Sequence, residues 1–232
     1  MRIGIMQPYF FPYIGYFALI NAVDRFVLYD DVAYIKNGWI NRNRIKVGTQ
    51  ARYISVPVTS ANTNHPIKDV KIVNYDRFRT EVFKTLMTNY SKAPSYSDIM
   101  DLLTEVFSVD YADINTLNAA SIFLIKDYLD IKSEILASST IKTSSELRGE
   151  AKVINICKIL GGDIYINAIG GQSLYSKENF LKGQINLQFI KMGKIIYFQG
   201  KGDFIPDLSI IDALMWNSKE TIQQMLQEYV LV

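Results

Sequence analysis

Short apolar runs and helical periodicity alternate at the start of the chain. Arg2 to Met6 is an apolar run, and it ends before Pro8, whose missing amide interrupts a central strand. From Tyr13 to Val23 apolar residues recur at helical spacing, and Arg25 to Tyr29 is a second apolar run. A strand, a helix and a strand within about thirty residues predict a βαβ unit with parallel strands.

The pattern then predicts a hairpin, a helical middle and a second α/β stretch. Two alternating segments, Trp39 to Lys46 and Arg52 to Val58, predict a hairpin turned at Gly48. Apolar residues at three- and four-residue spacing predict helices over Tyr75–Asn89, Ser97–Phe107 and Asn115–Tyr128. We then expect a strand over Ile131–Leu136 and a helix over Ser144–Leu160. Two further strands are expected over Ile164–Ile166 and Leu187–Ile190, an extension of the sheet over Ile196–Gln199, and a last helix over Ser218–Glu228.

These elements predict one α/β domain over residues 1–232, with a helical insertion at approximately 75–130. Its sheet is expected to be mixed or mostly parallel and to start with the βαβ unit. Ligands of such sheets bind beyond the carboxyl ends of the strands, where Gln7, Asp30 and Asp31 fall.

Composition narrows the classes of partner and site. The formal net charge is +2, which gives no electrostatic reason to expect nucleic acid or an anionic membrane as the main partner. No apolar run reaches the ~18 residues of a membrane span, and the first apolar run is too short for a signal peptide, so we expect a cytoplasmic protein without membrane insertion. A single His excludes a His-rich metal site, and no metal is expected.

The segment from Gln7 to Tyr16 contains five aromatic residues and two prolines, which makes it a rigid loop. Gly15 at the start of a helix costs about 1 kcal/mol relative to Ala. That cost is tolerated where a ligand or another backbone comes close, or where the helix packs tightly on a strand. Gln7, Tyr9, Tyr13 and Gly15 are therefore candidate substrate-binding residues.

The spacing of Tyr13, Gly15 and Tyr16 after a strand resembles the His-x-Gly-His motif of nucleotidyltransferases and class I tRNA synthetases. The resemblance implies a HUP-like fold and a role in adenylyl transfer, where the two histidines and a helix N-terminus stabilise phosphate charge. Tyrosine carries no positive charge in their place. Tyr16 is nevertheless a candidate catalytic residue.

The segment from Asp30 to Lys46 combines carboxylates, amides, an aromatic ring and cations. Adjacent carboxylates at a strand end point to opposite faces, so one of Asp30 and Asp31 is expected to enter a cleft and to orient or deprotonate an amine. Aromatic stacking, amide donors and a guanidinium suit a nucleotide or a sugar phosphate, and the binding candidates are Asn37, Trp39, Asn41, Arg42 and Lys46. The alternative is a surface hairpin with a half-buried Trp39.

Two later segments add candidates. Gly170 and Gly171 follow a predicted strand and come before a helix expected near Ser176, so their amides are candidates for anion binding with Tyr175 beside them. A plain turn is the alternative. Asp212 lies among apolar residues in the first turn of a helix capped by Asp207 or Ser209, and if buried it needs a partner such as Arg42 or Lys46.

At these segments the chain resembles the WbqC-like family. The matching stretches are Met6–Phe17, Asp30–Val32, Gly38–Asn43, Asn89–Pro94, Tyr165–Asn167, Gly170–Gly171, Leu174–Tyr175 and Leu208–Asp212. The resemblance implies work in bacterial O-antigen or other surface-polysaccharide biosynthesis. It is most consistent with transfer of an acyl or aminoacyl group, delivered by a carrier, to the amine of a nucleotide-linked sugar.

Two other functions stay open. The same pocket without chemistry would make the protein a sugar-nucleotide-binding partner of an enzyme. The Tyr-x-Gly-Tyr arrangement would instead make it an adenylyl-transferring enzyme. The ligand is accordingly expected to be ATP or a nucleoside diphosphate sugar.

Overall fold

A six-stranded sheet forms the centre of the computed structural model, which describes residues 1–59 and 65–232. Its order is β5-β2-β1-β6-β7-β8, with strands at Arg2–Met6 (β1), Arg25–Leu28 (β2), Glu134–Ala137 (β5), Ile164–Ala168 (β6), Asn186–Met192 (β7) and Tyr229–Leu231 (β8). All neighbouring pairs are parallel except β7 and β8. The prediction of a mostly parallel sheet that starts with a βαβ unit is confirmed.

Both faces of this sheet are buried, because alternate residues of its strands belong to two different hydrophobic clusters. On β2, Phe26 and Leu28 pack into one cluster and Val27 into the other. The smaller cluster lies under helices α5 (Gly149–Ile159) and α6 (Lys177–Lys182), and the larger lies under the remaining helices. Burial on both faces explains why the strands read as continuous apolar runs.

The larger cluster contains the predicted helical insertion. Helices α2 (Tyr75–Tyr90), α3 (Tyr96–Phe107) and α4 (Ile114–Tyr128) follow one another between the hairpin and β5. Helix α1 (Ile14–Asn21) packs on β6 within the same cluster and is buried along most of its length, which agrees with its nearly uniform apolar sequence. Helices α7 (Ile210–Trp216) and α8 (Lys219–Met225) complete this layer. Within the described ranges, every helix is too short or too polar to cross a membrane.

The predicted hairpin forms a separate two-stranded antiparallel sheet, β3 (Arg42–Val47) and β4 (Gln50–Ser55). Gly48 in its turn has φ +62°, a backbone conformation that favours glycine. The amide of Ser209, before α7, donates to the Arg44 carbonyl at 2.8 Å, which joins the hairpin to the C-terminal helices.

The loop between β1 and α1 is tied down through its backbone carbonyls. The Asn118 amide of α4 donates to the carbonyls of Pro8 and Ile40, at 2.9 and 2.7 Å. The Asn43 amide of β3 donates to the carbonyls of Phe10 and Phe11, at 3.0 and 2.7 Å. Buried carbonyls need such partners, so side chains from distant segments fix the shape of this loop.

Three sequence predictions differ from the structure. The predicted strand Ile196–Gln199 is wrong, because its side chains bond to neighbouring loops: Gln199 exchanges two hydrogen bonds with the backbone of Ile205, at 2.8 and 2.9 Å. Helix α5 begins at Gly149 instead of Ser144, since the preceding residues form a turn. Strand β8 was not predicted, because its three residues directly follow the helix predicted to end at Glu228 and give no alternation to read; that helix, α8, ends earlier, at Met225.

We expect Asn118→Ala to lower the free energy of unfolding by about 1–3 kcal/mol, because two buried carbonyls lose their donor. Asp127→Ala is the control on the same helix, since the Asp127 side chain is 71% exposed and should change stability by no more than about 0.5 kcal/mol. Urea unfolding of both variants measures the difference. Equal stability of the two would contradict a structural role for the Asn118 amide.

Candidate functional site

A cleft of about 770 Å³, here called the main cleft, lies beyond the carboxyl ends of β1 and β6. The chain continues from β1 to β2 on one side of the sheet and from β6 to β7 on the other, so the strand order reverses between these two strands. Open α/β sheets bind ligands at this switch point. The lining residues are Met6, Gln7, Tyr9, Pro12, Tyr13, Tyr29, Val32, Ile35, Trp39, Asn43, Arg44, Asn167, Ala168, Ile169, Gly170, Gly171, Leu174, Tyr175 and Asp207.

Aromatic rings form much of the wall of the main cleft. Trp39 is 37% exposed, so a planar ligand can reach its ring. Burial raises the pKa of Tyr9 and Tyr13 above the usual tyrosine value, and it raises that of Tyr29 and Tyr175 as well. These phenols therefore stay protonated at neutral pH and can donate hydrogen bonds. The Tyr29 hydroxyl is buried and has no partner within the described residues.

Arg44 and Asp207 are the charged residues among those that line the main cleft. The Arg44 guanidinium lies 5.6 Å from the centre of the Trp39 ring, and its Nη2 donates to the Asp207 carbonyl at 3.3 Å. Its Nε is buried and unpartnered among the described residues. A buried N–H without an acceptor is costly, so this edge of the guanidinium is suited to receive an anion.

The opposite wall is built from the end of β6 and the turn that follows it. The Asn167 side chain is fixed, because its amide donates to the Tyr165 hydroxyl and its carbonyl accepts from the Ala168 amide, both at 2.6 Å. A side chain on Gly171 would approach the Asn167 carbonyl to 3.2 Å, so this position favours glycine. Gly170 and Gly171 lie in a short 3₁₀ turn over Ile169–Leu174, not at the start of α6.

Gly15 is required by the Tyr13 ring. A Cβ built on Gly15 would lie 2.6 Å from Cζ and 2.7 Å from the hydroxyl oxygen of Tyr13. The glycine thus lets the Tyr13 ring lie against the first turn of α1 and line the main cleft. Tyr16 has a different position: it is 1% exposed, its hydroxyl donates to the Gln7 carbonyl at 2.9 Å, and it lies in the core outside the cleft.

Three predicted binding residues support the Trp39 loop instead of lining the main cleft. Asn41 accepts from the Tyr34 hydroxyl at 2.7 Å and donates to the Val56 carbonyl at 2.9 Å. The Arg42 guanidinium donates to the carbonyls of Asn37 and Gly38, and it stacks over the Tyr53 ring at 4.4 Å. Asn37 has φ +64°, and its carbonyl is thereby turned toward Arg42.

Asp30 and Asp31 form a polar cluster beside the main cleft and do not line it. Instead of pointing to opposite faces, both carboxylates lie within hydrogen-bond distance of the Ser138 hydroxyl, which is 3.0 Å from Asp30 and 2.5 Å from Asp31. Asp30 also accepts from the amide and hydroxyl of Ser139, at 2.9 and 2.7 Å, and Asp31 pairs with the Lys152 ammonium at 2.7 Å. Neither carboxylate is turned toward the cleft, because these bonds tie both of them to the ends of β5 and α5.

Asp212 and Lys46 lie in the core, not in the main cleft. The Asp212 carboxylate accepts hydrogen bonds from the hydroxyls of Tyr90 and Tyr197, at 2.6 and 2.8 Å. The expected pairing with Arg42 or Lys46 is not formed, and the Lys46 ammonium instead donates to the Asp203 carbonyl at 2.7 Å. Burial raises the pKa of Asp212, and the two tyrosine bonds partly offset this rise.

The structure thus brings seven predicted residues together in the main cleft, which are Gln7, Tyr9, Tyr13, Trp39, Gly170, Gly171 and Tyr175. Sequence analysis missed Tyr29, Asn43, Arg44, Asn167 and Asp207. Alternation along β3 places Arg42, Arg44 and Lys46 on one face of the strand, so it does not single out Arg44. Nothing local in the sequence distinguished Arg44 from Arg42 and Lys46.

Lys152→Met tests the polar cluster through its pH dependence. Burial alone would raise the pKa of Asp31, but the bonds from Lys152 and Ser138 outweigh it and lower that pKa. This contribution to stability is therefore present above the unfolded value of ~3.9 and is lost as the pH falls through the folded pKa. We expect the variant to be less stable than the native chain at pH 7, with a difference that shrinks by pH 3.

Lys182→Met is the matched control, since Lys182 pairs with Glu178 at a site where both side chains are more than two-thirds exposed (69% and 76%). Urea unfolding at pH 7, 5, 4 and 3 measures all three proteins. A stability difference that does not change with pH for Lys152→Met would contradict the pairing of Lys152 with Asp31.

Comparison with known proteins adds a family and one relative. The model of the WbqC-like protein family matches residues 7–224. The chain is 30% identical over 216 residues to "Uncharacterized protein Rv1507c" of Mycobacterium tuberculosis, and the alignment covers 92% of each chain. No solved structure gives a significant match. The family match includes every residue of the main cleft except Met6, and the chain belongs to the WbqC-like protein family.

Proposed function

We propose that the main cleft binds a nucleotide-linked amino sugar and that the protein transfers an acyl or aminoacyl group to the sugar amine. The observation that carries the proposal is the buried Nε of Arg44, which is unpartnered among the described residues, in an aromatic cleft at the switch point of the sheet. Surface-polysaccharide biosynthesis, including that of O-antigen, is the proposed setting, because it consumes such sugars.

A nucleotide suits the chemistry of the cleft walls. The exposed face of Trp39 and the ring of Tyr9 offer stacking surfaces for a base or a sugar. Arg44 offers a guanidinium edge for a diphosphate, and the Gly170–Gly171 turn lets a ligand approach the backbone closely. A volume of about 770 Å³ lies within the usual range for small-molecule sites, ~300–1,000 Å³.

The transfer step needs a group that accepts a proton from the amine, and Asp207 is the carboxylate in the cleft wall. The neutral amine nitrogen bonds to the acyl carbon, the bond from that carbon to the ester or thioester carrier breaks, and the Asp207 carboxylate takes the amine proton. The leaving alkoxide or thiolate is protonated from solvent. Asp30 and Asp31 are poorer candidates for this role, because other partners already hold their carboxylates.

Binding without catalysis is the second candidate function. It is favoured by the position of Asp30, Asp31 and Tyr16 outside the cleft, which leaves fewer reactive groups than the sequence implied. Adenylyl transfer has less support. Tyr16 would have to turn toward a phosphate, and its hydroxyl is used in the core by the Gln7 carbonyl.

We expect the native chain to bind UDP, dTDP or a sugar nucleotide derived from them, as measured by isothermal titration calorimetry. Arg44→Gln should weaken binding about tenfold to a hundredfold, the equivalent of losing a charge-assisted hydrogen bond of ~1.5–3 kcal/mol. Trp39→Ala should weaken it by a similar factor, because stacking on one base contributes ~1–3 kcal/mol.

Arg52→Gln is the matched control for Arg44. It lies on the neighbouring strand β4, it is exposed, and it bonds to Gln50 at 3.2 Å. The affinity of the Arg52→Gln variant for the nucleotide should stay within about twofold of the native value. Equal affinity of Arg44→Gln and Arg52→Gln would contradict the proposed phosphate site. Binding of ATP alone would favour adenylyl transfer.

Asp207→Asn should lower the rate of transfer about 10²–10⁴-fold while nucleotide affinity is retained, as expected for loss of a general base. Mass spectrometry of UDP- and dTDP-linked amino sugars, offered with acetyl, butyryl and glycyl thioesters, measures transfer as added acyl mass. Asp203→Asn is the control on the same segment. Full activity of Asp207→Asn, or its loss in a folded Asp30→Asn variant, would contradict the assignment of the base.

A further inference from the structure

A second cavity adjoins the main cleft. This side cavity has a volume of about 280 Å³, and it shares Tyr13 and Asp207 with the wall of the main cleft. The rest of it is lined by residues from the end of β7, from the segments 194–197 and 204–208, and from α1 and α7. The function proposed above does not use it.

The walls of the side cavity are mainly apolar. Met192, Ile195, Phe204 and Ala213 are among the residues that line it. Tyr197 also lines it, but its hydroxyl donates to the buried Asp212 carboxylate at 2.8 Å. An apolar ligand therefore loses little on entering, whereas a charged group would give up its hydration inside.

The volume limits the size of the occupant. A volume of about 280 Å³ lies below the usual range for small-molecule sites, ~300–1,000 Å³, so the side cavity is suited to a short acyl group and not to a nucleotide. The main cleft already offers a site large enough for the nucleotide, so the side cavity is suited to a smaller group of the second reactant.

Asp207 lies where the main cleft and the side cavity meet. Its backbone has φ +55°, an uncommon conformation for a residue other than glycine, and Arg44 donates to its carbonyl. Its carboxylate makes no hydrogen bond or ion pair within the described residues. Tyr13 is the other shared wall residue, and Gly15 fixes the position of its ring.

We infer that the side cavity holds the apolar acyl chain of the donor. The carbonyl carbon of that acyl group would then lie beside Asp207, next to the acceptor amine. The inference rests on the proposed transfer and narrows the donor to an acyl group without a charge on its chain. An aminoacyl group would bring an ammonium among mainly apolar walls. Lys194 would repel it, and the lining carboxylate, Asp207, is the group that accepts the amine proton in the proposed transfer.

N-acetylcysteamine thioesters of two, four, six and eight carbons test this inference by titration against the native chain. Each methylene that enters the cavity should tighten binding about fourfold, the fold-change that ~0.8 kcal/mol gives, until the cavity is full. Phe204→Ala enlarges the cavity and should move the preferred chain to a longer one. Ile196→Trp, at a lining residue that is 56% exposed, should move it to a shorter one.

Phe198→Ala is the control, because Phe198 is 69% exposed and packs on Trp216 at 5.1 Å without lining either cavity. Equal affinity for all chain lengths, the same preference in all four proteins, or tighter binding of the glycyl thioester would each overturn the inference. Titration with UDP tests the main cleft separately. If UDP does not bind but the chain-length dependence is observed, the result contradicts the proposed function and leaves the inference about the side cavity standing.

Discussion

The structure depends on pairing the buried carbonyls of the loop between β1 and α1. Pro8 and Pro12 in this loop have no backbone N–H, and the carbonyls of Pro8, Phe10, Phe11 and Pro12 all accept hydrogen bonds from other segments of the chain. Donors from the helical insertion, the hairpin and the start of α7 supply the missing hydrogen bonds, through Asn118, Asn43, Ser209 and the Ile210 amide. One loop therefore joins three parts of the chain to the carboxyl end of β1, and the main cleft forms where they meet.

This constraint explains why many polar residues near the loop have structural roles. An amide or guanidinium that holds a buried carbonyl is not available to a ligand, as Asn41 and Arg42 illustrate. Arg44 differs because one of its N–H groups has no acceptor in the described structure. The distinction between support and binding thus depends on how many partners each donor has, which the residue type alone does not reveal.

The sequence predicted the sheet and the helical insertion because their signals are local. Apolar runs and helical spacing are properties of short segments, and the order of β1, α1 and β2 followed from them. The partners of Asp30, Asp31 and Asp212 were not predictable in this way. Ser138, Lys152, Tyr90 and Tyr197 lie between 15 and 122 residues from the carboxylates that they contact. Only the fold brings such residues together.

Gly15 was expected among the substrate-binding residues, but it does not line the main cleft, and its close contact is with another residue of the chain. Sequence analysis assigned it to close approach by a ligand or to packing on a strand, but its immediate neighbour is the ring of Tyr13. That ring is a shared wall of the main cleft and of the side cavity. Any larger residue at position 15 would displace the ring, because a Cβ there would lie 2.6–2.7 Å from its Cζ and hydroxyl oxygen. The glycine thus shapes the boundary between the main cleft and the side cavity without lining either of them, at a cost of about 1 kcal/mol in helix propensity.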